Sequence, residues 1–184
     1  MRSRDTVLEA ASAVIGEVGF GGVTIAAVAT RAGVSRQTVY SIFSSRENLV
    51  SQAVSDRLTT LNGAFTDVLE SAETPLELLV EIIVQARHRI LADPMLRVLT
   101  LSGKGNPIFD PGATDRALEY CLGLLAPAVD RFPEMSGRLE FLADIGVHVG
   151  WSVLCLDSPT TRSDAELRAF LTSWLGPVLS ASQT

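Results

Sequence analysis

The sequence predicts an all-α fold, and three observations predict it. Apolar residues recur every three or four positions from Val7 to Val178, the period that lines them along one side of a helix. Helix punctuation falls between those runs: Thr24, Ser35 and Ser45 stand where N-caps belong, Gly33 where a helix must stop, and Pro75 in a first turn, where its missing N–H costs little. Apolar residues also fill 47% of the 184 positions, which supports a sizeable core. The expected organisation is a three-helix domain over residues 1–50 and a helical domain over 51–184, about nine helices in all.

In the first helix Val7, Leu8, Ala11, Val14 and Ile15 share a face. Met-Arg-Ser-Arg-Asp leads straight into it, without the apolar stretch and cleavage site of a signal peptide, so a cytoplasmic location is expected. Arg2 and Arg4 form either a short basic arm or a solvated terminus. Gly19, Phe20, Gly21 and Gly22 then make a turn, with Phe20 sealing the small core. Thr24 caps a second helix in which Ile25, Val28 and Ala29 face inward and which runs to Ala32. Gly33 supplies the left-handed exit, Val34 plugs the corner, and Ser35 caps a third helix buried through Val39, Ile42 and Phe43.

Arg36, Gln37, Thr38, Tyr40 and Ser41 remain outside on that third helix. A helix about 10–12 Å across fits the major groove of B-DNA, and its N-terminal residues meet the base edges. Arg36 suits guanine or a phosphate, Gln37 adenine, and the Thr38 methyl thymine. Tyr40 and Ser41 offer hydroxyls to phosphate oxygens, and the helix starts at Thr24 and Ser35 present backbone N–H groups to the same chain. Ser45 caps a fourth helix beginning near Arg46, where the cation meets either a phosphate or a neighbouring acid. The competing reading of the whole segment is a helical hairpin with a solvated polar face.

Thr-Ile-Ala at 24–26, Ala-Gly-Val-Ser at 32–35, Thr-Val-Tyr at 38–40, Phe43 and Arg-Glu-Asn-Leu at 46–49 together resemble the N-terminal domain of TetR-family transcriptional regulators. The resemblance covers roughly the first fifty residues. It implies an all-helical homodimer, usually a repressor, that binds a palindromic double-stranded DNA operator and carries a ligand-responsive C-terminal domain. Ile42 departs from the family's frequent His or Tyr and removes one phosphate contact, whereas Arg46 in place of Lys keeps the charge.

The formal charge of −6 suits a DNA binder only once it is divided. Residues 1–50 hold five arginines (Arg2, Arg4, Arg31, Arg36, Arg46) against four acids (Asp5, Glu9, Glu17, Glu47), a net +1 that leaves −7 for the remainder. A Debye length of about 8 Å at physiological salt hides distant acids, and local cations govern counterion release.

Leu49, Ala53, Leu58, Leu61, Phe65, Val68 and Leu69 read as a long connector helix loosened at Asn62-Gly63. Thr74-Pro75 opens another, with Leu78, Leu79, Ile82, Ile83, Ala86 and Ile90 on its apolar face, and Asp93-Pro94 ends it. Met95–Leu101 reads as a short helix and Ser102–Gly112 as a loop. Within it Gly103-Lys104-Gly105 lacks the frame and preceding strand of a phosphate-binding loop and reads as an exposed turn. Helices over Thr114–Asp130, Ser136–Leu156 and Ser163–Leu179 complete the chain.

The last two helices are unusually apolar, through Leu139, Leu142, Ala143, Gly146, Val149, Gly150, Val153 and Leu154 in one and Leu167, Phe170, Leu171, Trp174, Leu175 and Val178 in the other. A four-helix interface between two subunits would bury this excess, with Gly146 and Gly150 allowing close approach; a wholly internal core is the alternative. Ile83, Arg87, Met95, Leu99, Phe109, Tyr120, Leu124, Phe141, Asp144, Ile145, His148 and Trp151 mix apolar area with a few polar handles, as a cavity for a small, largely apolar effector would, although each also serves as core. His148 and Asp144 lie one turn apart, and His88 is expected at the surface.

Cys121 and Cys155 have no metal-type spacing and read as free buried thiols, and no cofactor or metal is expected. The apolar stretch Ile145–Leu156 is too short for a bilayer, so no membrane partner is expected. Two other classes stay in view: a small helical enzyme using His148 and Asp144 with a cysteine nucleophile, and a helical protein-interaction module. Neither has a nucleophile elbow, metal set or cofactor fingerprint behind it, so no catalytic residue is expected.

Overall fold

The computed structural model describes residues 2–63, 65–101, 104–156 and 163–180. It is all-helical, with no strand among the described residues. The helices are α1 (Arg2–Gly22), α2 (Ile25–Ala32), α3 (Arg36–Phe43), α4 (Arg46–Asn62), α5 (Thr66–Ser71), α6 (Pro75–Ala92), α7 (Pro94–Arg97), α8 (Ala113–Leu125), α9 (Leu139–Cys155) and α10 (Asp164–Ser180). Short 3-10 turns at Val98–Thr100, Pro107–Phe109, Ala126–Asp130 and Pro133–Arg138 fill the connections.

Packing divides the chain into two compact units, one holding residues 1–60 with 90–113 and the other 61–89 with 114–184. The division falls inside α4 and α6 rather than at residue 50, and it brings α7 and the loop after it into the N-terminal unit, here called the head.

The head core is Val7, Leu8, Ala11, Ile15, Phe20, Val28, Val39, Phe43, Leu49 and Ala53 with their neighbours, and it takes in Met95 from α7. α1 starts at Arg2, so the N-terminal arginines stand on a helix and not on an extended arm. Gly19 breaks that helix with φ 69°, a left-handed conformation that glycine alone adopts without strain, and this makes the expected turn. Asp93 ends α6 and begins α7: its Oδ1 accepts from the N–H groups of Met95 and Leu96, both at 2.9 Å, and Pro94 occupies the first helical position. Its Oδ2 accepts from Arg57 Nε at 2.6 Å, tying α4 to the same corner. α7 lies so close to α1 that a Cβ on Gly16 would meet Pro94 Cβ at 3.3 Å.

In the second unit, here called the body, the expected long connector is two helices. α4 stops at Asn62, and α5 begins only after Phe65, which is buried. One apolar cluster joins Phe65, Leu78, Leu79, Ile82, Leu124, Leu125, Phe132, Met135, Leu142 and Ala143. Another joins Val80, Ile83, Val84, Val149, Val153, Leu167, Leu171 and Leu175. α10 opens with a reciprocal cap in which Glu166 N–H donates to Ser163 Oγ and Ser163 N–H to Glu166 Oε2, at 3.2 and 3.1 Å. Arg168 holds α10 to α6 by donating Nε and Nη2 to the two carboxylate oxygens of Glu81, at 2.6 and 3.0 Å. Arginines also close helix C-termini: Arg131 donates to the carbonyls of Leu69 and Glu70, and Arg138 to those of Val178 and Leu179. A cation there complements the negative end of the helix dipole.

Candidate nucleic-acid interface

The segment from Thr24 to Ser45 folds through local hydrogen bonds that its own residue types dictate. Thr24 Oγ1 accepts from Ala27 N–H at 3.1 Å and opens α2. Gly33 ends it at φ 67°, with Val34 N–H donating to Ala29 O at 3.0 Å. Ser35 Oγ then accepts from Thr38 N–H at 3.0 Å and opens α3, and Ser45 Oγ accepts from Asn48 N–H at 3.0 Å at the start of α4. Each cap satisfies a donor that a helix start would otherwise leave orphaned.

α3 turns Val39 and Phe43 into the core and keeps Ile42 half-buried beside them. Arg36, Gln37, Tyr40 and Ser41 are exposed and Thr38 is half-buried. Among the described residues Arg36, Gln37 and Tyr40 make no ion pair or hydrogen bond, so a guanidinium, an amide and a phenol on one helix side are left for an outside partner. Ser35 and Thr38 share a hydroxyl–hydroxyl bond of 2.9 Å, and Ser41 Oγ donates to Thr38 O at 2.9 Å. Those three hydroxyls keep acceptor capacity but are oriented by the helix itself.

Two of the expected contact arginines are engaged elsewhere. Arg4 donates Nη2 to Gln52 Oε1 at 2.8 Å, and its guanidinium lies 5.9 Å from the centre of the Phe43 ring, so it braces α1 against α3 and α4. The side chain of Arg2 lies outside the described residues. Arg46 donates Nε to Val23 O at 2.9 Å and Nη2 to Phe20 O, and its Nη1 is 3.5 Å from Glu47 Oε1. It therefore clamps the turn between α1 and α2, satisfying carbonyls that the Gly19 break releases. Ser44, which the sequence did not single out, closes α3 at φ 62° and ψ −40° while Ser45 N–H donates to Phe43 O at 2.6 Å, a tight γ-turn that strains a residue with a side chain.

The residues expected around an effector are dispersed. Met95 belongs to the head core, Leu99 packs against it, and Phe109 is exposed. Ile83 and Ile145 pack in one body cluster and Leu124 in the other, while Arg87 donates Nε to Val153 O at 3.3 Å. Tyr120 OH donates to Asn62 Oδ1 at 2.6 Å, and burial raises its pKa to about 12. Phe141, Asp144 and His148 are exposed, the last two 3.4 Å apart, and Trp151 is half-buried. His88 is exposed as expected, 3.7 Å from Asp164. A body cleft of about 290 Å³ has a different lining, Thr74, Leu76, Glu77, Val80, Glu81, Arg168 and Thr172.

The apolar residues expected at a subunit interface also divide. Leu142, Val149, Val153, Leu167 and Leu171 are buried within the chain and Leu139 packs partly against them, because they occupy the inward sides of α9 and α10. Phe170, Trp174 and Val178 form the outward side of α10, with the two rings 5.7 Å apart. Among the described residues Gly146 and Gly150 serve no close approach, since a Cβ on Gly150 would meet nothing within 4 Å and one on Gly146 only Cys121 Sγ at 4.0 Å.

Residues 7–53 match the family model described as bacterial regulatory proteins, tetR family. The segment 7–53 thus resembles the N-terminal domain of the TetR family. A curated relative, the HTH-type transcriptional repressor KstR2 of Mycolicibacterium smegmatis, is 30% identical over 87 residues, 47% of this chain and 42% of that protein. The match thus spans less than half of the curated relative. The TetR-family repressor AlkX from Dietzia, described as implicated in biodegradation of n-alkanes, shares 24% identity at a TM-score of 0.71, with 97% of this chain and 95% of that one covered. FadR from Bacillus subtilis, solved in complex with stearoyl-CoA, shares 17% identity at a TM-score of 0.61, covering 96% and 97%. Both structures share the all-α fold along nearly the whole chain. Among the described residues no helix is long and apolar enough to cross a membrane.

Proposed function

We propose that this chain is a TetR-family, sequence-specific DNA-binding transcription regulator, a repressor that a small, largely apolar effector releases from its operator. The observation that carries the reading is the outer side of α3, where Arg36, Gln37 and Tyr40 stand exposed without internal partners on a helix capped and angled by Gly33 and Ser35. α3 lies in the major groove, Arg36 and Gln37 read base edges, and Thr24, Tyr40 and Ser41 meet phosphates. Residues 1–50 of the head form the centre of the grip and the body acts as its regulator. Two copies pair through the outward sides of α9 and α10, which spaces two heads for a palindromic site. The repressor sign rests on the KstR2 relative. The effector class rests on the stearoyl-CoA bound to FadR. The protein works in the cytoplasm, with the duplex.

The enzyme alternative gathers no support. Burial pushes the Cys121 thiol to about 11; Cys155 is exposed rather than buried as expected, though partial desolvation still raises its pKa, and both stay protonated and poorly nucleophilic at neutral pH.

Selection of bound fragments from random duplex DNA should return a two-fold site. Arg36→Ala and Tyr40→Ala should each abolish that preference while leaving the helical circular dichroism unchanged. Wild-type protein that retains all duplexes equally would overturn the reading.

A further inference from the structure

We propose that Lys104 is a phosphate-binding residue of the DNA grip, supplied from far outside the helix-turn-helix. The inference rests on the reading that the head binds duplex DNA. Lys104 is the chain's sole lysine, and it belongs to the head although 60 residues separate it from Ser44. Two glycines and an asparagine build its seat. Gly21 lets the loop close on the turn between α1 and α2: a Cβ there would meet the backbone oxygen of Lys104 at 3.2 Å. Gly105, at φ 74°, lets the loop pass Arg46: a Cβ there would lie 3.1 Å from Nη2 and 3.6 Å from Phe20 O. Asn106 is buried beneath, donating Nδ2 to the carbonyls of Leu99 and Leu101, both at 2.9 Å, and accepting from Ile108 N–H at 3.2 Å.

The base of the loop is thus held, while the lysine is exposed and has no ion pair or hydrogen bond among the described residues. The backbone it rests against runs through Val23 into Thr24, an exposed cap whose hydroxyl proton is free for a phosphate oxygen. Arg46, beside it, is turned onto carbonyls, and among the described residues the only carboxylate on that guanidinium is the exposed Glu47. A second cation at this edge raises the positive potential without an internal counter-ion, which is the arrangement a polyanion rewards. Glycine and lysine at 104–105 therefore act through charge and fit, with no need of a nucleotide-binding loop; Gly103 lies outside the described residues.

The test measures duplex affinity of the full chain across a salt series for the wild type, Lys104→Gln, Lys104→Arg and Arg36→Ala. Each phosphate contact contributes about 0.9 to the slope of log affinity against log salt. Lys104→Gln should lower the slope by about that much per head and weaken selected and random duplexes by the same factor, because phosphate contacts carry no sequence information. Lys104→Arg should restore the slope. An unchanged slope in Lys104→Gln, with Arg36→Ala still losing site preference, overturns the role of Lys104 alone. A wild type with no duplex preference overturns the DNA-binding reading and this inference with it.

Discussion

Arg36 and Arg46 carry the same charge ten positions apart, and packing gives them opposite uses. Arg36 projects from α3 with nothing to hold it, whereas Arg46 donates to Phe20 O and Val23 O and so closes the turn that Gly19 opens. Charge-assisted bonds to backbone oxygens stabilise by about 1.5–3 kcal/mol each when buried, and partial exposure of Arg46 reduces this. Arg46→Ala should destabilise the protein by about 1–2 kcal/mol in urea unfolding, while Arg36→Ala stays within about 0.5 kcal/mol. Equal stability of the two variants would contradict the clamp. A second residue acts through pH. Burial holds the Cys121 thiol protonated up to about pH 11, while in the unfolded chain it ionises near its ordinary value of 9. Between those values the folded state binds the extra proton, so its contribution is fully present below pH 9 and is lost as pH rises toward 11. The thermal midpoint should fall over that window, and Cys121→Ala should fall less steeply.

At the scale of elements, the corner between α6 and α7 shows how one side chain organises three helices. Asp93 is 9% exposed; it caps α7, terminates α6 and receives Arg57 from α4. Asp93→Ala removes the cap and leaves a guanidinium unpaired, and should cost about 2 kcal/mol, while Asp93→Asn retains an acceptor for the cap and should cost about half as much. Chemical denaturation measures both; identical losses would mean that the cap contributes nothing. Asp93-Pro94 is a readable stop signal, and its role as a start signal was equally local. The tie to Arg57 was not, because the two stand 36 positions apart. Glycine at Asn62-Gly63 is legible as a weak point, but whether a helix bends or ends there depends on Phe65 finding a buried seat.

Across the whole molecule, the apolar excess of the last two helices is divided between inside and outside. Leu142, Val149, Val153, Leu167 and Leu171 fill the body core, which leaves Phe170, Trp174 and Val178 of α10 and Phe141 of α9 open to solvent. A cluster of exposed aromatic residues on neighbouring turns marks an interaction surface. Under the proposed two-fold pairing, wild-type protein should sediment as a dimer at micromolar concentration. Phe170→Glu with Trp174→Glu should sediment as a monomer and lose affinity for a two-fold operator, with thermal stability of the separate subunit retained. A wild type that stays monomeric would remove pairing from the proposal.

What the sequence by itself determined depends on neighbours within one or two turns: the caps at Thr24, Ser35 and Ser45, the glycine corner at Gly33, the exposed polar side of α3 and the all-α class. A cap is a hydrogen bond across three residues and a helical face is a period, so both are written locally. Only the tertiary structure decided that Arg4 and Arg46 brace the head, that Lys104 joins it, and which side of α9 and α10 turns inward. Periodicity states that a side is apolar and charge states that a residue is polar; neither names the distant partner that covers the one or binds the other.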